Sequence, residues 1–274
     1  MSIDLHCHSH FSDGSLAPAE LVLRAVEQGV NQLAITDHDS VAGLAQAQQT
    51  IASEQLPLRL VSGVEISCRW HRFDIHIVGL NIDPQQPTLL TLLAQQQQAR
   101  QQRIAAMLEK LARRGMDVST YLQNLSGVAT RKHIADALVA AGHIDQPQQA
   151  FKRYIGAGKS AYQAADWCTI DSAISAIHAA GGVAVLAHPH AYQLSNKWLR
   201  RLLLQGKSWQ LDAIEVAISQ QSPGQREALQ RFALEYDYYA SAGSDFHNPN
   251  GWRELGKNLC LPADCVPIWQ HWAA

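Results

Sequence analysis

Apolar residues recur along this chain in two rhythms, and the rhythms alternate. Short runs that are continuous or alternate with polar residues read as strands: IDLHCHS from Ile3, QLAITDHD from Gln32, LRLVSGVEIS from Leu58 and FDIHIVGL from Phe73. Three more follow after a long gap: GGVAVLAHP from Gly181, LDAIEVAI from Leu211 and YYASAGSDFH from Tyr238. Between them lie stretches whose apolar residues recur three and four apart, as on a helix with one buried face. LAPAELVLRAVEQG and SVAGLAQAQQTIASEQ are the first two, with Ser15 the expected N-cap of the first and Gly29 its stop. DSAISAIHAAG, NKWLRRLLLQG and PGQREALQRFALEYD come later. Seven strands with intervening helices predict an α/β fold, most simply a β/α barrel of parallel strands.

Residues 84–167 break the rhythm, with helical patterns and no convincing strand. TLLTLLAQQQQARQQRIAAMLEKLARRG is one long pattern, with a possible break; its glutamine run is a solvated helix face rather than a low-complexity tract. RKHIADALVAAG and QPQQAFKRYIGAG add two short helices. The expected organisation is a barrel made of 1–83 and 168–274, with 84–167 inserted as a helical cap over one end.

Alternate side chains of a strand share a face. In the first strand Asp4, His6 and His8 are expected on one side, and Ile3, Leu5 and Cys7 on the other. His38 ends the second strand, Glu65 the third, His188 and His190 the fifth, and Asp245 and His247 the last, while His76 lies within the fourth. Asp13 follows the first strand in a loop. A lone histidine at a strand end is ordinarily structural. Six strands carrying His, Asp or Glu at such positions point instead to one site, at the barrel face where functional groups collect.

Composition adds a few limits. Of 274 residues 47% are hydrophobic, enough for a sizeable core, and 13 are histidine. Net charge is −2, which argues against a general polyanion binder. The charge is uneven, however: residues 95–160 hold ten Lys/Arg and four Asp/Glu, a local +6 that suits an anionic substrate. Five cysteines without a C-x-x-C pair, no signal-peptide pattern and no long apolar run predict reduced thiols in a cytoplasmic protein off the membrane.

Imidazole and carboxylate without thiolate suit Zn, Mn or Fe(II). Nine such residues exceed the roughly four to six ligands of one ion, so two or three ions with a bridging carboxylate are implied. Paired ions roughly 3.5–4 Å apart activate water and clamp phosphoryl oxygens, which dispenses with a Ser or Cys nucleophile. GAGKS at Gly156 lacks the full P-loop spacing and a preceding strand.

HCHSHFSDG, TDHD, AHP and GSDFH, in this order, resemble the PHP (polymerase and histidinol phosphatase) family of metal-dependent phosphoesterases, over nearly the whole chain. The resemblance implies a distorted seven-stranded barrel with three divalent ions, usually manganese. His6, His8, Glu65 and Asp245 would hold one ion, Asp13, His38 and His247 a second, and Glu65, His76 and His188 a third. ATRKHIADALV, FKRYIGAGKSAY and EVAISQQSPGQREAL are similar to a bacterial branch of ribonucleases and nucleoside bisphosphate phosphatases. The expected substrates are RNA or short oligonucleotides with a 5′-monophosphate, and nucleoside 3′,5′-bisphosphates. A metal-bound hydroxide is expected to attack the 5′ phosphoryl group, leaving the nucleoside 3′-phosphate.

Arg131, His133 and Lys159 match basic elements of the branch and are expected, with Arg103 and Arg100, to meet substrate phosphates. The family commonly has Gly-Arg after AHP; here His190 and Ala191 stand, and His190 is the candidate replacement. His10 and Asp39 adjoin the site without ligating. A histidinol-phosphate-type phosphatase, an amidohydrolase and a non-catalytic PHP module are the competing readings. No obligate protein partner is inferred.

Overall fold

The computed structural model describes residues 2–192, 194–249 and 251–272. Strands β1 (Ile3–Cys7), β2 (Gln32–Ile35), β3 (Arg59–Trp70) and β4 (Phe73–Leu80) come first. The two-residue β5 (Cys168–Thr169) precedes β6 (Val183–Leu186), β7 (Ala213–Ile218) and β8 (Tyr239–Gly243). The sheet runs β1-β2-β3-β4-β6-β7-β8, and β5 pairs with β3 off that path. Beyond the strand ends Asp245 N bonds His6 O at 2.8 Å and His8 N bonds Phe246 O at 2.9 Å, which nearly closes the sheet into a barrel.

The barrel is mixed rather than parallel throughout. Strand β4 runs antiparallel to both β3 and β6. Only His71 and Arg72 separate β3 from β4, far too few for a parallel crossover, so the chain must fold back. His71 takes a left-handed φ of 51° at that turn. The reversal brings His76, near the start of β4, level with the C-terminal ends of the parallel strands.

Helices α1 (Pro18–Glu27), α2 (Leu44–Ser53), α6 (Ile170–Ala179), α7 (Asn196–Ser208) and α8 (Pro223–Glu235) connect the strands. Ser15 does not cap α1. Ala17 is the N-cap, Pro18 starts the helix, and Glu20 Oε2 accepts from Ala17 N at 2.8 Å. At the other end Gly29 takes φ 75°, and Val30 N bonds Ala25 O at 2.9 Å in a Schellman closure.

The expected faces of β1 need correction. Ile3 and Leu5 pack inside the barrel with Ala34, Val61, Val78 and Val185. Cys7 packs outside, against α1 and α2, with Leu21, Leu33 and Ile35. A register shift between Asp4 and Cys7 breaks the two-residue alternation. Asp4 therefore parts from His6 and His8. It is wholly buried and accepts from Ser244 N at 2.8 Å and Gly256 N at 2.9 Å. Burial raises its pKa, and these N–H groups offset part of the rise.

Between β4 and β5 the described chain is helical: α3 (Pro87–Ala112), α4 (Arg131–Ala140) and α5 (Pro147–Ala150), which runs into a wider turn over Phe151–Ile155. Helix α3 is unbroken through the glutamine run. Leu89 and Leu93 join the barrel's outer core, while Ile104, Met107 and Leu111 join a separate core with Ile134 and Leu138 of α4. Each fully buried leucine or methionine stabilises this arrangement by about 1.5–3 kcal/mol. Between the two apolar ends α3 buries three polar residues, Gln96, Arg100 and Arg103. Among the described residues no helix is long and apolar enough to cross a membrane.

Candidate metal centre and substrate cavity

The nine candidate ligands converge at the C-terminal ends of the parallel strands. Glu65 stands among them, fully buried, with its two oxygens turned to different imidazoles. Oε1 lies 2.8 Å from His76 Nδ1 and 2.9 Å from His188 Nε2. Oε2 lies 2.9 Å from His38 Nδ1, 3.4 Å from His8 Nε2 and 3.5 Å from His6 Nε2. Asp245 Oδ1 is 3.3 Å from His8 Nε2 and 3.7 Å from His6 Nε2. Asp13 Oδ1 is 3.3 Å from His247 Nε2 and 3.7 Å from His38 Nε2.

Four sets of these residues hold donor atoms within 4.8 Å of one another: His8–Asp13–His38–His247, His6–His8–Asp245, His6–Glu65–His188 and His38–Glu65–His76. Glu65 belongs to two sets, and each of its oxygens faces one histidine of each: Oε1 faces His76 and His188, Oε2 faces His38 and His6. His6, His8 and His38 also belong to two each, and His8 thereby stands with the Asp13 group as well, where the family resemblance places it with the first ion alone.

These groups fit metal ions. Asp13 Oδ1, His38 Nδ1, Glu65 Oε2 and His188 Nδ1 are buried without a hydrogen-bond partner. His38 Nδ1 and Glu65 Oε2 stand 2.9 Å apart without hydrogen-bond geometry. Such unpaired polar atoms are costly in an interior unless a cation takes them up. Nitrogen and carboxylate oxygen without sulfur suit manganese, iron or zinc.

The electrostatics follow from the crowding. Burial disfavours the imidazolium of His6, yet the carboxylates of Glu215 and Glu65 outweigh it and raise its pKa to about 10. Burial, with His247 and His38 beside it, holds His8 well below its ordinary value. Burial works against the charged forms of Glu65 and Asp13, but the surrounding imidazoles keep both well below the usual carboxylate range.

Residues behind the ligands hold them in place. Glu215 of β7, buried in an otherwise apolar strand, accepts from His6 Nδ1 at 2.7 Å and from His188 N at 2.5 Å. Sequence reasoning missed it; a glutamate in the middle of AIEVAI was the available signal. Asp37 accepts from the hydroxyls of Ser9 at 2.5 Å and Ser12 at 2.6 Å, which anchors the loop that delivers Asp13. Gly14 is required there, since a Cβ would lie 2.1 Å from His8 O. Tyr192 Oη accepts from His76 N at 2.9 Å. Asp39, at φ 51°, is tied to α3: Arg100 pairs with its carboxylate and Gln97 Nε2 donates to its carbonyl at 2.9 Å. Arg253, also missed, pairs with Asp245.

A cavity of about 120 Å³ opens between this cluster and the helices. Asp13, His38 and His76 form one side, and Arg100, Arg103, Arg131 and Lys132 another. Arg103 Nε donates to Gln163 O at 2.9 Å, and burial with Arg131 nearby lowers its pKa to about 10. Arg131, first residue of α4, lies over the Phe151 ring at 5.8 Å. Arg100 also lines the cavity, though its guanidinium is committed to Asp39.

The other expected substrate contacts are placed elsewhere. His133 Nδ1 accepts from Thr130 N at 3.0 Å as part of the α4 cap, and burial lowers its pKa. Lys159 is exposed and does not line the cavity. His190 is half-buried in a short turn after His188, its Nδ1 buried and without a hydrogen-bond partner. His10 packs edge-on against Phe11 and joins none of the ligand sets.

A barrel with clustered His and carboxylate side chains able to hold metal at its strand ends, faced by arginines, is the architecture of a metal-dependent hydrolase. The chain belongs to the PHP domain family, whose model matches residues 4–169. It is 46% identical over 271 residues to a 5′-3′ exoribonuclease of Haemophilus influenzae, covering 97% of each chain. It is 37% identical to a 3′,5′-nucleoside bisphosphate phosphatase of Chromobacterium violaceum, covering 98% of this chain and 96% of that protein. A solved structure of an amidohydrolase from Chromobacterium violaceum, with bound sulfate and no metal, matches with a TM-score of 0.91 and 35% identity over 99% of this chain and 95% of that one.

Proposed function

We propose that the protein is a metal-dependent phosphoesterase of the cytoplasm, a 5′→3′ exoribonuclease that also hydrolyses nucleoside 3′,5′-bisphosphates. One observation carries this reading: the ligand cluster and the arginines Arg103 and Arg131 face one cavity. A phosphoester over the cluster would have a second phosphate within reach of the cationic wall. The relatives named for these two activities support it.

Three divalent ions, manganese by preference, would be held by His6, His8, Glu65 and Asp245, by Asp13, His38 and His247, and by Glu65, His76 and His188. Bound there, they would supply activated water and offset charge on the phosphoryl oxygens. The chain's own residues do the rest. Glu215 orients the His6 imidazole and holds the His188 backbone, Tyr192 holds the His76 backbone, Arg103 and Arg131 bind phosphate, and the helical segment 84–167 acts as a cap that restricts bulk water. Arginine suits this role through its planar fork of donors.

The two activities share one register. Shortening RNA from its 5′ end by single nucleotides breaks the ester beyond the first nucleotide. That places the 3′ phosphate over the cluster and the 5′ phosphate among the cap arginines. The same register on a bisphosphate removes the 3′ phosphate and leaves the 5′-monophosphate, rather than the nucleoside 3′-phosphate expected from sequence.

Manganese-loaded protein should release 5′-mononucleotides one at a time from 5′-phosphorylated RNA, and 5′-AMP with phosphate from adenosine 3′,5′-bisphosphate. Internal cleavage, or no release from RNA, refutes the exoribonuclease. Adenosine 3′-phosphate as the product refutes the register.

A further inference from the structure

The loop after β8 displays the most exposed large apolar side chain among the described residues. Trp252 is 94% exposed, against 60% for the next, Leu204. Tryptophan gains more than most side chains from burial, and its ring offers a large rigid face to a partner that covers it. The chain here is held on both sides. Gly251 N bonds Asn248 O at 3.2 Å before it. After it, Arg253 Nη1 bonds Asp245 O at 3.2 Å as well as the Asp245 carboxylate. Glu254 accepts from Arg24 Nε at 3.0 Å, Leu255 is fully buried, and Gly256 N bonds Asp4 Oδ2 at 2.9 Å.

Those anchors fix Trp252 one residue from an arginine that touches a candidate metal ligand. Arg253 uses one nitrogen on Asp245; its Nε and Nη2 make no hydrogen bond among the described residues. The cap arginines share the cavity with Asp13, His38 and His76. Arg253 instead lies on the Asp245 edge of the cluster. The cluster is therefore flanked by two cationic edges, and only the second carries a solvent-facing indole.

We propose that Trp252 is the stacking platform for the base of the nucleotide on the leaving side of the scissile bond, with Arg253 fixing it beside the reacting phosphate. This rests on the exoribonuclease reading, in which the 5′ phosphate occupies the cap. The aromatic face accepts any base, so the platform serves RNA without sequence preference. A nucleoside 3′,5′-bisphosphate has no second base and does not use it.

The test compares a 5′-phosphorylated diribonucleotide with adenosine 3′,5′-bisphosphate, using manganese-loaded wild type, Trp252→Ala and Trp252→Phe. The ratio of kcat/KM on the dinucleotide to that on the bisphosphate should fall about tenfold in Trp252→Ala, mainly through KM, and recover mostly in Trp252→Phe. A wild type that cleaves both substrates, with a ratio within twofold in Trp252→Ala, overturns the platform alone. A wild type that cleaves only the bisphosphate overturns the exoribonuclease reading and the platform with it.

Discussion

Glu215→Gln tests whether the residues behind the centre govern it. Glu215 Oε1 accepts from His6 Nδ1 at 2.7 Å and Oε2 from His188 N at 2.5 Å. Glutamine has one carbonyl oxygen, so one of these donors must face its NH2 group. A buried donor left unsatisfied costs about 1–3 kcal/mol. At about 1.4 kcal/mol per factor of ten, that is roughly 5- to 150-fold in the equilibrium it perturbs. Loss of a carboxylate behind a ligand histidine weakens metal binding by about 10- to 100-fold, which agrees. The fold should survive, since the substitution is nearly isosteric. Manganese affinity, measured by chelator competition on metal-stripped protein with circular dichroism as the control for folding, should fall within that range. An affinity within twofold of wild type, in a folded variant, refutes the assignment of Glu215 as the group that orients His6 and His188.

Three further outcomes follow from other parts of the molecule. Arg100→Ala leaves Asp39 buried without its cation and should destabilise the protein by about 3–5 kcal/mol in urea unfolding; adding Asp39→Asn should recover part of the loss. Arg131→Ala should reduce kcat/KM on adenosine 3′,5′-bisphosphate at least tenfold more than on a generic aryl phosphate, which lacks a second phosphate; equal losses would remove Arg131 from phosphate recognition. Burial opposes the charge of Glu254, but Arg24 overrides it and holds the pKa below the ordinary 4.5. Its folded pKa lies below its unfolded one, so its contribution is present above about pH 4.5 and lost as pH falls through the folded value. The difference in melting temperature between wild type and Glu254→Gln should be constant above pH 5 and shrink below 4.5.

Much of the centre was legible in the sequence because its donors lie where apolar runs end. His38, His188, Asp245 and His247 each follow such a run, and strand ends on one barrel face are neighbours whatever the details between them. Glu65, expected to end β3, lies in its middle, since β3 continues to Trp70, and is brought level with them by its bridge to His38. The helical character of 84–167 was legible for a similar reason: periodicity is local. Two-residue spacing was less dependable in β1. A register shift there sends Asp4 to the outer layer while His6 and His8 keep the inner one. No property of Asp4, His6 and His8 as residue types separates them; the pairing with β2 and the segment after β8 does.

The remaining elements depended on contacts between distant parts of the chain. The reversal of β4 follows from the short turn at His71, yet its consequence, His76 beside Glu65, depends on both neighbours in the sheet. Arg100 and Arg103 lie three apart on one helix and look alike in sequence. Packing gives the Arg100 guanidinium to the buried Asp39, and leaves Arg103 at the cavity on the Gln163 carbonyl and, at 3.5 Å, the Asp74 carboxylate. Lys159 and Arg131 read equally well as phosphate contacts, but only Arg131 begins a helix that faces the centre. Local pattern settles which side chains are available for chemistry, because element type and apolar periodicity are properties of adjacent residues. Which of them meet, which carboxylate stands behind which imidazole, and which arginine keeps free donors follow from burial and pairing across the whole fold. Those are long-range terms that no stretch of sequence contains.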